Sequence, residues 1–143
     1  MMRRVGWFAV ATFCVSAAIG IGPASAQDPR GSMAQKEARG WLILTDRGDA
    51  AASWRAAAKK FQTAISEDRW TAALREVRPP LGEVTDRTLL STEFTTTLPG
   101  APDGEYALLV FHSSFVKKVD VQEMVNLERE ADGAWRVIGY LIR

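Results

Sequence analysis

The stretch VDVQEMVNLEREADGAWRVIGYLI, residues 119–142, decides the fold class. Val119, Val121, Val125 and Leu127 alternate with Asp120, Gln122, Asn126 and Glu128. A period of two marks a half-exposed strand, because successive side chains of a strand point to opposite faces. Asp132-Gly133 interrupts the pattern, and this dipeptide is a strong signal for a tight hairpin. Trp135 to Ile142 then returns as a second strand. Such a hairpin needs another layer to cover its apolar face.

That layer is legible upstream. Glu105 to Val116 is apolar on both parities between Tyr106 and Phe111, which predicts a central strand. Val84, Leu90, Phe94 and Leu98 share one parity among threonines, as strands favour, and Pro99 to Gly104 is a turn-rich loop. Before Pro79-Pro80 the period is helical. Ala34, Ala38, Trp41 and Thr45 mark a first helix, with Gly48 as its stop. Asp49 caps a second, striped by Trp54, Ala57, Ala58, Phe61 and Ile65. Ser66 caps a third, striped by Trp70, Ala73, Leu74 and Val77. The expectation is an α+β domain over residues 33–143. Three N-terminal helices pack on one face of a four-stranded antiparallel meander.

The N-terminus reads as an export signal. Arg3 and Arg4 precede an uncharged apolar run, Val5 to Ile21, and Pro23 leads to Ala24-Ser25-Ala26. This is the pattern of a cleavable signal peptide over residues 1–26, cut between Ala26 and Gln27. The apolar core is short for a membrane span, which needs about 20 residues. No stable membrane insertion is expected after cleavage, and the address is periplasmic or secreted. Residues 27–32, with Pro29 and Gly31, read as a disordered lead-in. Cys14, the single cysteine, leaves with the signal. Packing rather than disulfides must then hold the fold. Arg3 and Arg4 leave too, turning the formal net charge of +1 into −1. That balance gives no footprint for nucleic acid. With one histidine and no remaining cysteine, no metal site is expected, and no cofactor fingerprint is present.

A group of residues carries a family resemblance: Asp46-x-Gly48, Ser53-Trp54, Phe61, Trp70, Arg78-Pro79-Pro80-Leu81-Gly82, Arg87, the run Leu98 to Tyr106, Phe115, Lys118, Glu123, Asp132-Gly133-x-Trp135-Arg136-Val137 and Gly139-Tyr140. Together they resemble the bacterial family labelled domain of unknown function 4019, across roughly Ala38 to Arg143. Ala50 departs from the family pattern, where an aromatic is expected, and this implies looser packing between the first two helices. The resemblance implies an exported bacterial protein and lends no reaction. The layout also resembles the cone-shaped domains of the cystatin and nuclear transport factor 2 type. That likeness is architectural and carries no function.

Strand register places the candidate site. A two-residue turn at Asp132-Gly133 sets Leu127 opposite Ile138, Val125 opposite Tyr140 and Glu123 opposite Ile142. A two-residue turn at Lys117-Lys118 sets Val110 opposite Val125 and His112 opposite Glu123; a three-residue turn would break this pairing. The apolar face toward the helices would then hold Val110, Val125, His112, Glu123 and Tyr140. Two readings are open. In one, Glu123 or His112 is a general acid or base in a ligand pocket, and Tyr140 is a hydrogen-bond donor. In the other, the three form a satisfied polar network that fixes register.

Other groups carry weaker signals. Trp41, Trp54, Trp70 and Trp135 offer an aromatic platform or a core. Arg78 and Arg87 offer an anion clamp, or ion pairs with Asp46 or Glu83. Lys117-Lys118 reads as a solvated hairpin tip. The leading expectation is a non-enzymatic exported domain that binds a small apolar ligand or an envelope protein. The alternatives are an acid/base isomerase or lyase, and a purely structural envelope accessory.

Overall fold

A computed structural model describes residues 28–143. The expected signal peptide and its expected cleavage point, Ala26 and Gln27, lie outside the described residues. Helix α1 spans Pro29–Asp46, begun by the Asp28 side chain, which accepts from the Arg30 amide at 3.0 Å. Proline at the first helical position forfeits only an amide that would have no partner. The helix therefore starts inside the segment expected to be a disordered lead-in. It buries Ala34, Ala38, Trp41, Leu42 and Thr45 along one stripe and stops at Gly48, whose φ is 71°.

The expected second helix is two helices, α2 (Ala50–Ala56) and α3 (Lys59–Ala64). Ala57 and Ala58 are extended between them. The cause is a sheet contact: the Ala58 amide donates to the Val137 carbonyl at 2.8 Å. Gln62 closes the gap, its side-chain amide donating to the Trp54, Arg55 and Ala57 carbonyls. Helix α4 (Glu67–Val77) is capped by Ser66, with Glu67 and Asp68 in its first turn. A 3-10 turn at Pro79–Leu81 leads into the sheet.

The sheet is an antiparallel meander of β1 (Val84–Thr95), β2 (Tyr106–Phe115), β3 (Lys118–Arg129) and β4 (Trp135–Ile142), in that order. The α+β architecture stands as expected, with four strands in an open sheet. The helices and the sheet share one core. Trp41, Phe61, Trp70, Leu109, Phe111, Val125, Leu127, Trp135 and Val137 belong to it, and so does Ala50. No helix among the described residues is long and apolar enough to cross a membrane.

Register differs from expectation in three places. The β2–β3 turn is Val116-Lys117, with Phe115 opposite Lys118. A bulge then follows, where Asp120 takes a left-handed φ of 56°. The net effect is a one-residue slip. Phe111 faces Glu123, Leu109 faces Val125 and Ser113 faces Val121. Thus His112 and Val110, expected on the helix face, lie on the opposite side of the sheet. On β1 the bulge falls at Leu90, so Leu89 packs against the core and Leu90 is 55% exposed.

The third difference cancels itself. The β3–β4 loop has three residues, with Glu130 accepting from Gly133 and donating to Ala134. That shifts the pairing by one, to Leu127 opposite Val137 rather than Ile138. An irregularity at Ile138 shifts it back. Val125 opposite Tyr140 and Glu123 opposite Ile142 are therefore as expected.

Candidate functional site

Glu123 is fully buried in the middle of β3. Its Oε1 accepts from Arg87 Nε at 2.8 Å and from Ser113 Oγ at 2.5 Å. Its Oε2 accepts a short hydrogen bond from the Tyr140 hydroxyl. The Arg78 guanidinium approaches the same oxygen at 3.7 Å. Asp46, the last residue of α1, forms the second anion. It receives the Arg87 fork at 2.8 and 2.9 Å and Arg78 Nη2 at 2.7 Å. Two arginines and two carboxylates thus balance in charge, with Ser113 and Tyr140 as neutral donors.

Each member comes from a different segment. Asp46 ends α1, Arg78 follows α4, and Arg87, Ser113, Glu123 and Tyr140 belong to β1, β2, β3 and β4 in turn. The surroundings set the ionisation. Burial pushes the Tyr140 phenol up, and the adjacent Glu123 charge pushes it further, well above the ordinary phenol range. Burial opposes the charged form of Asp46, but hydrogen bonds and charge from Arg87 and Arg78 outweigh it and hold the carboxyl below its usual range. Arg87 is likewise desolvated, yet its bonds to Asp46 and Glu123 hold its guanidinium protonated beyond the ordinary arginine range. Arg78 stacks on Phe115 at 4.7 Å, and its Nε and Nη1 have no hydrogen-bond partner among the described residues.

Aromatic side chains fill the space beside the cluster. Trp41 lies 5.3 Å from Tyr140 and 5.7 Å from Trp70, and Phe61 lies 5.2 Å from Trp70. Trp41 and Trp70 donate to the Ser53 carbonyl and hydroxyl respectively, both at 2.8 Å. Trp135 packs on Phe94 at 5.8 Å. All three tryptophans are buried, and Trp41 and Trp70 also have their indoles satisfied, so they pack as core.

The candidate residues therefore separate. Glu123 and Tyr140 meet, and Val125 is fully buried beside them. His112 is half exposed on the far face, where its Nε2 lies 3.1 Å from Asp120 Oδ1. Val110 shares that far face. Arg78 and Arg87 pair with Asp46 and also reach Glu123 rather than Glu83. Ser113 was missed because the β2 slip exchanges it for His112. Among the described residues, no three His, Cys, Asp or Glu side chains gather in a metal-holding arrangement.

A cleft lies beside the cluster, between α4 and β4. Trp70, Ala73, Leu74, Val77, Tyr140, Leu141 and Ile142 line about 210 Å³. No wall residue is charged. Of its lining residues, Val77 and Leu141 are 39% and 52% exposed. Tyr140 joins the two features, with its hydroxyl on Glu123 while it also lines the cleft.

These features define a class: an α+β domain whose helix-covered meander sheet is fastened by buried ion pairs. The chain belongs to the family described as protein of unknown function (DUF4019), which matches residues 37–140. The matched span contains the whole cluster from Asp46 to Tyr140. No curated protein matches the chain.

Proposed function

We propose that this chain is an exported, non-catalytic domain of the bacterial cell envelope that binds a protein partner through the α4–β4 cleft. The observation that carries the reading is that uncharged cleft beside the last strand. Its size selects the occupant. Pockets that bury whole ligands hold roughly 300–1,000 Å³. A cleft of about 210 Å³ fits one or two apolar side chains of a partner rather than a free ligand. Export rests on the N-terminal pattern of Arg3-Arg4, the apolar run and Ala24-Ser25-Ala26.

The enzyme alternative has less support. A general acid or base needs a reachable proton and space for the reacting atom. Both oxygens of Glu123 accept from protein donors, and no part of its surface is open. His112 is on the other side of the sheet. The cluster fits a structural role, while the exposed Val77 and Leu141 fit a binding one.

The test is a nuclear magnetic resonance titration with a short extended peptide of alternating valine and threonine. Shifts of the Tyr140 and Ile142 amides and the Val77 methyls are expected. No shifts, or shifts confined to the His112 face, would overturn the reading.

A further inference from the structure

We infer that the partner in this cleft is a second copy of the same chain, paired antiparallel along β4 about a two-fold axis at Leu141. The inference rests on the binding reading above and names its occupant.

Hydrogen-bond phase comes first. Gln122 and Arg143 exchange both backbone bonds, at 2.8 and 3.0 Å. In an antiparallel pair, bonded and non-bonded positions alternate. Leu141 and Gly139 therefore turn their backbone groups toward β3. The amides and carbonyls of Tyr140 and Ile142 turn outward, where they have no partner among the described residues. Upstream the edge is closed, because the Val137 carbonyl is taken by Ala58.

The open stretch lacks the usual protection of an edge. Natural edge strands carry charges, prolines or bulges against pairing with other chains. The opposite edge, β1, has Asp86 and Glu93 and two register shifts. Beyond the irregularity at Ile138, Gly139-Tyr140-Leu141-Ile142 has no charge and no proline.

The open stretch is also self-complementary. A two-fold axis at Leu141 sets Tyr140 of each copy opposite Ile142 of the other and makes four backbone hydrogen bonds. Leu141, 52% exposed, then packs against its own copy. Such an axis is normal to the sheet, so both helix layers stay on one side and both clefts open onto the seam. The two Arg143 residues would sit about 13 Å apart along the strands, beyond the roughly 8 Å screening length. A register centred on Tyr140 instead would bring Arg143 of each copy opposite Val137 of the other, whose carbonyl Ala58 already takes. The product is a continuous eight-stranded sheet with an isologous interface.

Sedimentation equilibrium of the full-length chain, processed in its host, tests this. A reversible dimer is expected, and Leu141→Arg should weaken it at least tenfold by placing like charges on the axis. Leu90→Arg, an equally exposed change on the other edge, should leave the dimer intact. Hydrogen exchange at the Tyr140 and Ile142 amides should slow as protein concentration rises. A monomeric wild type, or a dimer indifferent to Leu141→Arg, overturns the inference. If the chain is monomeric yet the valine–threonine peptide shifts those amides, the binding reading survives without self-pairing. If the peptide also fails, both fall.

Discussion

Arg87 donates its Nε hydrogen to Glu123 at 2.8 Å, reaching from the edge strand β1 across β2 to β3. Its remaining nitrogens fork onto Asp46 at the end of α1. One side chain therefore couples two non-adjacent strands and a helix.

Removing that side chain leaves two carboxylates with too little positive charge beside them. Breaking a buried pair costs about 3–5 kcal/mol. Arg87→Met is expected to lose stability on that scale in urea unfolding. Arg87→Lys keeps the charge without the fork and should recover only part. A loss under about 1 kcal/mol for Arg87→Met would show that the cluster is not a stabilising contact.

Tyr140→Phe removes one donor from Glu123 and leaves the ring in place. A buried acceptor short of a partner costs about 1–3 kcal/mol. The alkaline limb carries a second signature. The native Tyr140 phenol is raised above its unfolded value of about 10, so its contribution is complete below pH 10 and fades as pH rises toward the folded value. Ultraviolet titration of the folded protein should show Tyr140 silent until the chain unfolds. Ionisation near pH 10 without unfolding would contradict the buried pairing.

Acid acts through Asp46, whose carboxyl is held low in the folded state. Its contribution is present above the unfolded value of about 3.9 and is lost as pH falls through the folded value. The urea midpoint is expected to decline below about pH 4. Asp46→Asn should flatten that decline while lowering stability at neutral pH.

His112 and Ser113 are adjacent in sequence, on opposite faces, and should respond unequally. His112→Ala touches only a surface pair with Asp120 and should change stability by no more than about 0.5 kcal/mol. Ser113→Ala removes a donor from Glu123 and should cost about 1–3 kcal/mol. The reverse order, with His112→Ala the costlier change in thermal unfolding, would restore the register in which His112 faces the helices.

The proposed export route has a direct check. Edman sequencing of the chain recovered from its host should begin at Gln27. A start at Met1 would argue for an uncleaved anchor.

Much of the architecture was legible because burial imposes periodicity. Alternation exposed β3, and stripes exposed the helices. The stripe from Trp54 to Ile65 gave no warning of the break at Ala57-Ala58, because the cause is a bond to Val137, distant in sequence. The site was half legible. Glu123 and Tyr140 share the helix face, opposite Ile142 and Val125 as the alternation predicts, because a three-residue loop and the irregularity at Ile138 offset each other. On β2 nothing offsets the slip, so Ser113 stands where the alternation predicts His112. A bulge leaves the apolar pattern nearly unchanged on a strand apolar on both parities, as β2 is. The pairing of Arg87 with Glu123 skips a strand, and no local pattern encodes that.

The cluster takes one residue from each of six segments, between Asp46 and Tyr140. No partly assembled chain can therefore complete it. Interactions that form only after the folding barrier slow unfolding and leave the folding rate nearly unchanged. The ion pairs would then act as a latch: they set how long an assembled domain lasts rather than how quickly it assembles.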